Sequence, residues 1–274
     1  MEDIISVINT LAQNIFSAVD GELFDILDSL VMINKDILLT EPIEKLSFKS
    51  EDNSIILLAL TFITMFAIFF GIKRLINMYN AGSTKDTTKF VLRVVICTIF
   101  MMSSYFLIET VLDINELFGD VLKNIGREIT DKEISFVTLK ETILELEKDM
   151  TDSAISLDGV IKGMVSFGVV SLVFTFAIRY VTVIFLILIS PIAIMLAIND
   201  STFGIFVKWC KMFITNLFIQ NAVILVITIP LCIEDVDSVM FKVILVGSIY
   251  ILYKIKSFAG DLLNDFYIKR SQDG

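Results

Sequence analysis

The sequence predicts an all-α polytopic membrane protein with five transmembrane helices, amphipathic N-terminal helices and a helical external loop. Three observations predict this. Apolar residues make up 55% of the 274, with a mean hydropathy of +0.80, and they gather in blocks; a bilayer core of about 30 Å takes roughly 20 such residues per helix. Alternation of period two is absent, which argues against a membrane β-barrel. Lys and Arg crowd into three connections between the blocks, the pattern of loops that stay in the cytoplasm.

Residues 1–54 form the first region, external amphipathic helices. Over 4–19, Ile4, Ile5, Ile8, Leu11, Ile15, Phe16 and Val19 share one helical face, and over 22–33 Leu23, Phe24, Leu27, Leu30 and Val31 share another, with Gly21 between. The polar faces are acidic or neutral, so attraction to anionic lipid is weak. These helices are expected to pack on a partner or on the rest of the external domain. Pro42 falls in the polar stretch before the first span. The start, Met1-Glu2-Asp3, is acidic where a secretory leader is basic, so no cleavable signal is expected.

Residues 55–108 hold the first two spans, Ile55–Ile72 and Val94–Ile108, around a loop carrying Lys73, Arg74, Lys85, Lys89 and Arg93. Residues 109–162 follow as an external helical loop, too long for a turn. Thr138-Leu139-Lys140-Glu141 fits a capping box. Phe136, Leu139, Ile143, Leu146 and Met150 then make a heptad-like seam, too short for a free coiled coil and expected to meet the N-terminal helices or a neighbouring subunit.

Residues 163–253 carry three spans. The first problem is the apolar run 163–198, broken by one charge, Arg179. A hairpin needs turn residues, and none of Gly, Pro, Asn or Asp occurs from Val169 to Ile189. Pro191 lacks an N–H and crowds the carbonyl of Ile187. One crossing from about Val169 to Ser190 is therefore expected, then an interfacial or re-entrant piece, Pro191–Ile198. Gly168, Ser171 and Thr175 share a face of this span and permit close helix approach, within one subunit or between subunits. The remaining spans are Met212–Ile233, with Pro230 as an expected kink, and Val243–Tyr253. The latter is short and flanked by Lys242 and Lys254, which can snorkel. The cytoplasmic tail is 254–274, where Phe258, Leu262 and Phe266 give the last helix an apolar edge.

With a single pass at 163–198 the charges alternate. Segments 73–93, 199–211 and 254–274 hold 11 Lys/Arg in 55 residues, and segments 1–54, 109–162 and 234–242 hold 10 in 117. The N-terminus is then outside and the C-terminus in the cytoplasm. The outer segments sum to −17, against −10 for the whole chain. A surface this acidic does not bind nucleic acid unaided.

Catalysis has no support in the residues. The chain contains no histidine, which removes the commonest general base and metal ligand. Its twelve glycines are scattered rather than gathered into a phosphate-binding loop, and the acidic residues lack calcium-loop spacing. No catalytic residue, metal or cofactor is expected. Cys97, Cys210 and Cys232 read as small buried hydrophobes. Trp209, between Lys208 and Lys211, reads as an interfacial anchor. The informative positions are polar ones within the spans: Arg179, Asn216, Gln220 and Asn221. Counted from the cytoplasmic ends, Arg179 lies at the depth of Gln220 and Asn221, its expected partners. It either fixes helix packing or lines a water-filled path in an oligomer.

The run Arg179-Tyr180-Val181-Thr182-Val183-Ile184-Phe185 continues through Ser190-Pro191-Ile192-Ala193 and Asp200-Ser201-Thr202 to Lys208-Trp209 and Gln220. This stretch, roughly 175–225, resembles the TrbL family of conjugal transfer proteins, polytopic inner-membrane subunits of type IV secretion systems. The predicted layout agrees with that family's. The resemblance implies a homo-oligomeric channel or scaffold subunit that passes DNA or protein across the cytoplasmic membrane, working with other secretion subunits and separate ATPases. A small-solute or ion transporter is the alternative, and it predicts internal repeats or matched broken helices; five spans do not divide that way. A membrane scaffold without a conduit is the third reading.

Overall fold

The structure, a computed structural model, describes residues 22–33, 35–48, 54–79, 85–147, 157–233, 235 and 238–272. Every regular element among them is a helix: α1 Glu22–Val31, α2 Lys35–Leu38, α3 Glu41–Ser47, α4 Ile55–Tyr79, α5 Lys85–Met102, α6 Ser104–Thr130, α7 Phe136–Glu147, α8 Leu157–Leu188, α9 Ser190–Met195, a 3-10 turn Leu196–Ile198, α10 Asp200–Leu231 and α11 Val239–Gln272. The helix expected over 4–19 lies outside the described residues, as do the side chains of Leu146, Met150, Leu262 and Phe266.

The helices form two compact units. The first takes in α1, Asn115–Val181 and the chain from Thr215 onward; the second takes in Asn34–Ile114 and Thr182–Ile214.

In the first unit α1 lays its apolar stripe into the core. Phe24, Leu27 and Val31 are buried with Phe136 and Leu139 of α7, Leu172 and Phe176 of α8, Val223 and Ile227 of α10 and Phe241 of α11. Burying such side chains is worth about 1.5–3 kcal/mol each. The N-terminal helix and the seam therefore meet within one chain. Their junction is polar at one point. The Asp28 carboxylate accepts the N–H groups of Phe136 at 2.9 Å and Val137 at 3.2 Å, two of the four donors that a helix start leaves over. The Ser135 hydroxyl accepts the third, from Thr138, at 3.0 Å. The capping box anticipated at Thr138–Glu141 is thus displaced by three residues, because Asp28 and Ser135 start the helix earlier. Burial pushes the Asp28 carboxyl up, against the lowering pull of those two N–H groups and of Lys123.

In the second unit α4 and α5 pack on α9, with Ile56, Ala59, Ile63, Met101, Met195 and Ile198 buried between them. Here α8 stops. A helix end strands its last carbonyls, and side chains collect two of these: Ser47 Oγ donates to Leu188 O at 2.9 Å and Trp209 Nε1 to Leu186 O at 3.1 Å. Pro191 has no N–H to offer Ile187 O, so it sits in the first turn of α9, where that loss costs nothing. The break expected at Pro191 thus begins a new short helix after Ile189. Trp209, read as an interfacial anchor, also ties α10 to the end of α8. Pro230 lies inside α10, one residue before its end.

Among the described residues, two helices, Gly163–Leu188 and Thr202–Leu231, are long and apolar enough to cross a membrane. A third span exists if Val91–Met102 and Ser104–Thr130, bent by 63° to each other, count as one broken span; Ile55–Phe69 is apolar but shorter. The expected block Val94–Ile108 straddles that bend. On α8, Phe167, Phe174, Ile178 and Val181 are all exposed, the apolar outer stripe of a helix with no core on that side. Cys97 is buried and Cys210 half-buried, but Cys232, expected to be buried, is exposed; all three thiols are free.

Candidate functional site

The four polar residues picked out in the spans are all buried in the first unit: Arg179 (1% exposed), Asn216, Gln220 and Asn221. Arg179 stands on α8, and the other three follow one another on α10 at spacings of four and one. The structure brings the four into one neighbourhood but pairs them differently from the depth argument. Arg179 bonds backbone, not the amides of Gln220 and Asn221. Its Nε donates to Asn216 O at 2.7 Å and Nη1 to Val31 O at 3.1 Å. Nη2 has no partner among the described residues.

Each acceptor has a physical reason. Val31 is the last residue of α1, so its carbonyl is left over by the helix and sits at the negative end of the helix dipole, where a cation is stabilised. It also accepts the Ile33 N–H at 3.0 Å. Asn216 O lies mid-helix and has a second lone pair to give. Among the described residues no carboxylate pairs with the guanidinium, so backbone dipoles are what compensate it.

A second layer lies beside it. Gln220 Oε1 accepts the Ile33 N–H at 3.2 Å and Asn115 Nδ2 at 3.4 Å. Asn221 Nδ2 donates to Asn115 Oδ1 at 2.9 Å, and Asn221 Oδ1 has no partner among the described residues. Asn115, on α6, was not singled out from the sequence. It sits in an acidic amphipathic stretch, where an amide looks like ordinary solvated surface. Gly119, one turn on, allows the approach: a Cβ there would stand 3.3 Å from Asn221 Oδ1 and 3.5 Å from Gln220 Nε2. The signal available beforehand was a lone glycine four residues after an asparagine, which is too common to read.

The cluster thus ties the end of α1 and one face of α6 to α8 and α10 through one guanidinium and three amides. It holds no nucleophile and no acid–base pair, and among the described residues no group of three His, Cys, Asp or Glu side chains is gathered as metal ligands.

Neither the curated proteins nor the solved structures contain a match to this chain. A family model does match, over residues 49–253, which takes in the stretch around Arg179 and most of the chain besides. Its description, TrbL/VirB6 plasmid conjugal transfer like protein, joins the apolar helices to conjugation and type IV secretion. On that match the chain belongs to the TrbL/VirB6 plasmid conjugal transfer-like family.

Proposed function

We propose that this protein is a channel or scaffold subunit of a conjugative type IV secretion machine. It crosses the cytoplasmic membrane five times, with its N-terminus outside and its C-terminus in the cytoplasm, and assembles with copies of itself and other secretion subunits to pass DNA or protein. Separate ATPases supply the energy. The observation that carries the reading is α8, one uninterrupted helix through Leu188 followed by a break. Two crossings in that stretch would place both termini on one side and scatter the basic loops across both faces. The remaining spans fall to α4, to the bent α5–α6 pair and to the apolar part of α11, where Lys242 and Lys254 flank a short core.

Reporter tags at the two ends, probed in intact cells, test the topology: the N-terminal tag is reached from outside and the C-terminal tag is not. Purification in mild detergent tests the role. A ring of subunits that retains secretion partners agrees with it. A stable monomer that moves a small solute into liposomes contradicts it and favours the transporter.

A further inference from the structure

The second unit contains a cavity that the buried polar cluster does not use. Its volume is about 640 Å³, and its walls come from α5, the start of α6, the α9 and 3-10 segment, and the first half of α10. This is the size range of pockets that take small organic molecules. The lining is almost wholly apolar. Trp209 forms one wall, stacked between Phe206 and Phe213 at ring separations of 6.2 and 5.6 Å. Its N–H is spent on Leu186 O, so it offers the cavity a flat apolar face.

Two polar groups interrupt the lining, and they differ in kind. Ser104 is fully buried, and its hydroxyl finds no partner among the described residues. A buried hydroxyl left without a bond is costly and uncommon. Arg93 is exposed and is the one charged residue among the described residues of the lining. By spacing, positions 85, 89 and 93, all basic, share one face of α5. An apolar chamber with a cationic rim at Arg93 matches a molecule with an acyl chain and an anionic head. Basic pockets between membrane helices on the cytoplasmic side recognise anionic lipid heads in this way.

From this we infer that the cavity is a binding site for one anionic glycerophospholipid. Its acyl chain lies along Phe206, Trp209 and Phe213. Its phosphate meets Arg93 at the rim. The site goes beyond the transport role and depends only on the protein residing in a membrane.

The full-length protein, purified in mild detergent, is offered palmitoyl-oleoyl phosphatidylglycerol or the matching phosphatidylcholine, and bound lipid is counted by native mass spectrometry. Phosphatidylglycerol is retained about tenfold better, the ratio that one charge-assisted hydrogen bond supports. Arg93→Gln brings the two lipids to parity. Ile96→Trp, which projects bulk into the chamber from a half-exposed position, abolishes retention of both. A phosphatidylglycerol with a photoactivatable acyl chain maps the site on the unmodified protein, with labelling expected in 93–111 and 203–214. Equal retention of the two lipids by the native chain, or label confined to other helices, overturns the assignment. So does cross-linking of Cys97 or Cys210 to a second polypeptide in membranes without lipid label, since the chamber then holds a protein helix.

Discussion

Gly168 gives the sharpest packing test, because its sequence setting left two readings open. A Cβ built on it stands 2.3 Å from Cγ2 of Ile249 on α11, in the same unit. Real Cβ atoms do not approach so closely, so Gly168→Ala forces a shift. The obstructing methyl is bonded to the Ile249 Cβ and cannot swing away as a chain end can. Overpacking of this kind costs about 1–3 kcal/mol, and the upper part of that range applies here. Alanine returns up to about 1 kcal/mol of helix propensity. The net loss is about 1–2 kcal/mol, or roughly 2–4 °C in Tm for a chain of this size. Ile249→Leu moves the branch one carbon outward and removes the offending methyl, alone costing less than about 1.5 kcal/mol. The double variant should therefore melt close to Ile249→Leu itself, a coupling of about 1 kcal/mol or more. Melting curves of the detergent-solubilised protein, with size-exclusion profiles beside them, read both quantities. If Gly168→Ala melts unchanged while a purified oligomer falls apart, the small-residue face meets another subunit and the reasoning fails. An unrescued double variant refutes the specific clash.

Three further outcomes follow from named contacts. The Asp28 carboxyl is raised above its ordinary value by burial, so its stabilising contribution is complete below the unfolded pKa of 3.8 and fades as pH climbs through the folded value. Melts at stepped pH should show the native protein gaining on Asp28→Asn as pH falls from 7 toward 4, and a constant difference between the two speaks against a buried, titrating group. Asn115→Ala takes the partner of the buried Asn221 Nδ2, at about 1–3 kcal/mol, while Gln220 Oε1 keeps the Ile33 N–H; a loss below about 0.5 kcal/mol in denaturation shows that water replaces Asn115. Trp209→Phe and Ser47→Ala each strand a carbonyl at the end of α8. Amide exchange should quicken over 185–190 in both, and unchanged exchange there means that the break does not depend on those bonds.

Local rules made much of the fold legible. The stripe of α1 came from its spacing. The single helix over the long apolar run came from the absence of turn residues, and its end came from the lost N–H of Pro191. Each of these is decided within a few residues. What depended on distant residues was not legible. Both Ser135 and Thr138 can cap α7, and Asp28, more than a hundred residues away, decides between them. The bend at Ser103 falls in an apolar block without Gly or Pro, where the pair Ser103-Ser104, a capping residue type, is the one local mark. The depth reckoning for Arg179 found the correct stretch of α10 but the wrong atoms, since height along a span says nothing of the direction around it. An inventory of side chains is also blind to backbone carbonyls, which are the acceptors here.

The energy of Arg179 decides what it is for. Taking a guanidinium out of water costs several kcal/mol even after relaxation. Against that stand two hydrogen bonds to a charged donor, at about 1.5–3 kcal/mol each, and the end of the α1 dipole, worth up to about 2 kcal/mol in a partly buried setting. The terms nearly cancel, and Nη2 remains unpartnered among the described residues. Stability alone does not account for keeping such a residue. Position does: the apolar stripe of α1 could slide along α8 and α10, whereas its terminal carbonyl can meet the guanidinium in one register only. Arg179→Leu should then leave the unfolding free energy within about 1–2 kcal/mol of the native protein's, as replacement of a buried ion by an apolar residue often does. A cysteine placed at the buried Ile33, protected from thiol reagents in the native background, should become reactive in that variant, and conjugal transfer should fall with it. If Ile33→Cys stays protected while transfer is lost and assembly is normal, the guanidinium acts on the passing cargo and the register argument is wrong.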